Sequence, residues 1–136
     1  MENIFFTGDQ MNIQPFVNEP YIDFSKPENF ETQKAAINEA RKKLGTEYPL
    51  IIGGKEEVTE RKLNSYNPSN KDELLAVFSK GDVELANKAV DEALKAFESW
   101  RYVAPAERAA LLFRGAEIMR RRKLEINAWM VLEAGK

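Results

Sequence analysis

The sequence predicts an α+β fold, mostly helical with one β-hairpin. An apolar stripe at helical spacing runs from Val83 to Trp100, a second helical pattern follows Pro105, and two strand-like runs flank the turn-forming stretch Asn67 to Asp72. A length of 136 residues suits a single domain. Hydrophobic residues at 43% and charged residues at 31% supply a core and argue against a disordered chain.

Taken in order, Met1 to Glu19 show no sustained period and include Gly8 and Pro15, with Pro20 next, so residues 1–24 are expected to form an extended arm. Met11 is an alternative native start, in which case Met1 to Gln10 would be upstream sequence. Ser25 is placed to cap a helix opening at Pro27, because its hydroxyl can accept from a free amide and proline tolerates the first turn. Phe30, Ile37, Ala40 and Leu44 follow at helical spacing, and Gly45 supplies a left-handed stop. Tyr48 to Ile52 reads as a strand halted by Gly53-Gly54. Arg61 to Tyr66 and Leu74 to Ser79 pair as a hairpin, which is only marginally stable alone and must lean on other elements.

Asp82 is a strong N-cap for a long amphipathic helix whose stripe is Val83, Ala86, Val90, Ala93, Leu94, Phe97 and Trp100. Pro105 opens the next helix, with Ala109, Leu112, Phe113, Ala116 and Met119 expected to face inward. Leu124 to Ala134 forms a further helical segment. Gly135-Lys136 follows at once with no polar tail and reads as a cut end.

Charge narrows the function. With 20 basic and 22 acidic residues the net charge is -2, so no overall field favours nucleic acid or an anionic membrane. The apolar runs fall far short of the ~20 residues of a spanning helix, and Glu2 and Asp9 break any secretory pattern at the start. A cytoplasmic location is the expectation. Cysteine and histidine are both absent. Disulfides, thiol nucleophiles, imidazole bases and the common zinc ligands are therefore excluded from this chain.

The remaining candidates each have a plain structural reading. Arg120-Arg121-Arg122-Lys123 has acidic neighbours in Glu117 and Glu125 and no aromatic platform, so a solvated helix face is favoured over a nucleic-acid patch. Gly53-Gly54 opens no spaced glycine motif and reads as a turn rather than a phosphate cradle. The adjacent acids Glu56-Glu57 and Asp91-Glu92 point apart and are expected on the surface, while Phe97, Trp100 and Trp129 are expected to pack. No catalytic, cofactor-binding or metal residue is assigned.

Laid end to end, Leu50-Ile51-Ile52-Gly53-Gly54, Tyr66-Asn67-Pro68-Ser69-Asn70 and Gly81-Asp82-Val83 resemble the opening of the aldehyde dehydrogenase superfamily. The resemblance continues through Ala89-Val90-Asp91-Glu92-Ala93, Trp100, Pro105-Ala106-Glu107-Arg108-Ala109 and Glu133-Ala134-Gly135-Lys136. Asn18-Glu19-Pro20, Asp23-Phe24-Ser25, Tyr48-Pro49-Leu50 and Phe113 to Lys123 are most similar to its pyrroline-5-carboxylate dehydrogenase branch. The resemblance implies an α/β parent with a Rossmann-like cofactor domain, of which residues 25–136 would be the incomplete N-terminal part.

It further implies NAD-dependent oxidation of glutamate semialdehyde to glutamate in proline and arginine breakdown, in a parent expected to be a homo-oligomer. In that family a cysteine thiolate attacks the aldehyde, hydride passes to the nicotinamide and a glutamate helps water release the acyl group. Those groups, the oxyanion-binding asparagine and the glycine-rich cofactor turn would lie beyond Lys136. This chain alone is therefore expected to be inactive and to bind no NAD, its partner being the rest of the polypeptide. The faces bearing Phe97, Trp100, Phe113 and Trp129 would then lack part of their cover. The competing class is a free-standing helical interaction module.

Overall fold

The computed structural model describes residues 16–135; Met1 to Gln10 and the alternative start Met11 lie outside them. Residues 16–23 carry no regular structure. Helix α1 spans Pro27–Arg41, opening at the proline as expected but without a Ser25 cap. The Ser25 hydroxyl instead donates to Asp23 Oδ1 at 2.6 Å and its amide donates to the same oxygen at 3.0 Å. A local Asx turn has captured the capping group. The helix also stops short of Leu44, and Gly45 follows the intervening turn at φ 74°, donating its amide to the Leu75 carbonyl at 3.1 Å.

The strand expected over Tyr48 to Ile52 is two strands. Strand β1 is Thr46–Tyr48 and β2 is Leu50–Ile52, because Pro49 between them has no amide to donate to a ladder. Strand β2 folds back on β3, Lys55–Glu57, pairing Ile52 with Lys55 and Leu50 with Glu57. Both turn residues have positive φ, 59° at Gly53 and 75° at Gly54, as a tight primed turn requires. The anticipated hairpin is present as β4, Lys62–Asn67, antiparallel to β5, Asn70–Ser79. Its turn is tighter than Asn67 to Asp72, since β5 already begins at Asn70. Parallel pairing of β1 with β5 completes a sheet of order β1-β5-β4, with Tyr48 stacked on Phe78 at 5.5 Å.

Helix α2 is Val83–Trp100, capped by Asp82, whose Oδ1 accepts from the Leu85 amide at 2.9 Å. Helices α3, Pro105–Arg121, and α4, Lys123–Ala134, are separated by a break at Arg122. The core is small and drawn from three elements: Ala40 of α1, Leu75 of β5, and Ala128 and Leu132 of α4. Leu75 and Leu132 are the large side chains fully withdrawn from water, and each such burial is worth ~2 kcal/mol. Polar ties reinforce this centre. Gln33 on α1 donates to the Leu124 carbonyl at 3.0 Å, and the Ser69 hydroxyl in the β4–β5 turn donates to the Gly135 carbonyl that ends α4.

Neither α2 nor α3 buries a residue. Of the α3 positions expected to face inward, Leu112 is 78% exposed and Met119 60%. Their periodicity is that of a packing face, and the described residues supply little to pack on it. Ala109 and Ala116 are half-buried.

Candidate functional site

Gly53 and Gly54 close the β2–β3 hairpin, and this hairpin rests on α2. Glu57 pairs with Lys88, while a Cβ built on Gly53 would meet Glu92 Oε2 at 2.8 Å. Glu92 thus fills the space over the turn, and the N-terminus of α2 already holds the Asp82 carboxylate. Neither feature fits a dinucleotide pyrophosphate.

Of the acidic pairs, one member of each is neutralised by a lysine: Glu57 turns to Lys88, and Glu92 to Lys95 at 2.6 Å. The Lys95 ammonium holds the Glu92 carboxyl below its usual range, and Glu92 in turn raises Lys95. Glu73 is likewise lowered, first by the Asn67 amide donating at 2.6 Å and then by Arg41 at 3.1 Å.

The basic run is a junction. Arg122 stands where the carbonyl end of α3 meets the amide end of α4, and its guanidinium grips Glu125 through both carboxylate oxygens, at 2.8 and 3.0 Å. The cation suits the end of one helix and the anion the start of the next. Arg122, with help from Lys43, holds the Glu125 carboxyl at about 2. Arg120 and Lys123 both engage Glu19 of the arm, at 3.1 and 3.2 Å, and Lys123 also donates to the Pro20 carbonyl at 2.8 Å. Glu19 is lowered accordingly, chiefly by Lys123. The solvated-face reading holds, with the added finding that the run clips the arm to the α3–α4 corner.

Every resolved carboxyl shift is downward. A general acid at neutral pH needs the opposite, a raised carboxyl in an apolar pocket. Among the described residues no group of His, Cys, Asp and Glu is arranged to hold a metal. What these paired charges do is hold helices and hairpins in register.

The prominent surface feature is apolar. Val90, Leu94, Phe97 and Trp100 of α2 are 58%, 59%, 50% and 43% exposed, and Phe113 of α3 is 44% exposed. The expectation of bare faces is met at Phe97, Trp100 and Phe113. It is corrected at Trp129, which is half-buried against the Ala40–Leu75–Ala128–Leu132 core. The packing expected of Phe97 and Trp100 is not supplied among the described residues, which leave both about half-exposed.

Comparison with known proteins places this arrangement. The model of the aldehyde dehydrogenase family matches residues 55–136. The 1-pyrroline-5-carboxylate dehydrogenase 1 of Halalkalibacterium halodurans is 47% identical over 124 residues, covering 91% of this chain and 24% of that one. The 1-pyrroline-5-carboxylate dehydrogenase 2 of Bacillus subtilis is 46% identical over 122 residues, covering 90% and 24%. In three dimensions, the solved 1-pyrroline-5-carboxylate dehydrogenase from Thermus with bound NAD matches at a TM-score of 0.85 and 35% identity, again over 90% of this chain and 24% of the other. The chain spans 24% of the length of the curated relatives it matches.

Proposed function

The chain belongs to the aldehyde dehydrogenase family, and from that premise we propose that it forms the N-terminal part of an NAD-dependent dehydrogenase oxidising glutamate semialdehyde, the open form of pyrroline-5-carboxylate, to glutamate in proline and arginine breakdown. One observation carries the reading: nearly the whole chain aligns with a quarter-length segment of enzymes bearing that name, and the fold of the same segment agrees at a TM-score of 0.85. In this reading residues 25–136 belong to the cofactor-binding domain and residues 1–24 form an arm. The parent is a cytoplasmic homo-oligomer in the same proposal; no described helix is long and apolar enough to cross a membrane.

In the full enzyme of this proposal NAD would supply the hydride acceptor. The Gly53-Gly54 turn and the α2 N-terminus, each already facing a carboxylate, are not where this reading places its pyrophosphate, and a chain without cysteine supplies no thiolate to attack the aldehyde. The contribution of this chain is mechanical. Its hairpins and helices present the α2 and α3 faces as packing surface for the remaining polypeptide, and they are stabilised by covering it.

A chimera tests this. This chain replaces the aligned segment of the Halalkalibacterium relative, and NADH formation from glutamate semialdehyde is followed by absorbance. A folded, active chimera is expected. A chimera that fails to fold, or that folds without dehydrogenase activity, overturns the placement.

A further inference from the structure

We draw no further inference here: the strongest candidate, the open apolar groove between α3 and α4 beside Glu19, lined by Ala116, Met119, Ile126 and Met130, carries nothing because nothing in the structure shows what covers it in a protein of which this chain matches only a quarter-length segment.

Discussion

Gly54 and Gly135 both hold left-handed backbone, with φ of 75° and 66°, but for different reasons. Nothing lies within 4 Å of a Cβ built on Gly54, so alanine there meets only the ~1–2 kcal/mol cost of the left-handed region. A Cβ on Gly135 would also press on the Ser69 hydroxyl at 2.7 Å, the Ser69 backbone nitrogen at 3.0 Å and Pro68 Cβ at 3.3 Å. A backbone atom cannot swing aside. Gly135→Ala is therefore expected to be the costlier change and to speed hydrogen exchange at the Ser69 and Asn70 amides, while Gly54→Ala leaves those amides unchanged. Equal exchange in the two variants would remove the argument. Capping gives a second contrast between single residues. Asp82→Ala removes the acceptor of the Leu85 amide and should cost ~1 kcal/mol of α2 stability, whereas Ser25→Ala should leave α1 unaffected because Ser25 bonds Asp23 instead. Helix-specific amide exchange distinguishes the outcomes. Asp82 was legible in the sequence because an extended aspartate before a long stripe has one good use. Ser25 was not, because Asp23 two residues earlier offered a nearer partner.

At the level of elements, what was legible depended on whether an element's pattern was local. The α2 stripe, Pro105 opening α3 and the β4–β5 hairpin all follow from spacing and turn chemistry within one segment. Strand β3 does not. Lys55-Glu56-Glu57 has no strand composition, and it is extended because the Gly53-Gly54 turn folds it onto β2. Double glycine between short runs was the signal that would have found it. The α3–α4 junction yields a pH prediction. Glu125 is held at about 2, below its ordinary 4.5, chiefly by the Arg122 hydrogen bonds. A depressed carboxyl contributes stability that is full above the ordinary value and is lost as pH falls from 4.5 through about 2. Protection of the Ile126 and Asn127 amides in the first turn of α4 should decline across that window, and Glu125→Gln should abolish the decline. An undiminished pH slope in the variant would assign it to other carboxyls.

The α2 stripe leaves Val90, Leu94, Phe97 and Trp100 roughly half in water, and covering what remains exposed would gain about 1 kcal/mol per side chain. In isolation the chain should therefore self-associate. Light scattering is expected to give a mass above 15.6 kDa, and the double variant Phe97→Glu, Trp100→Glu should bring it toward the monomer without loss of helical circular dichroism. A stable compact monomer of the unaltered chain would contradict this. The periodicity of α2 and α3 announced packing faces, but no single segment states which body covers them. That is why the family and not the chemistry was readable: the motifs at Tyr66 to Asn70, Gly81 to Val83 and Pro105 to Ala109 carry kinship, while the described side chains assemble no reacting centre.

The four-residue core has a consequence in time. Ala40 and Leu75 leave the ribosome early, but their counterparts Ala128 and Leu132 sit on the last helix described. At a translation speed of about 5–20 residues per second, roughly 3 to 10 seconds separate Leu75 from Ala128. Through that interval the nascent α1 and β4–β5 segments lack the α4 half of the core they share, and they are open to chaperones until α4 emerges.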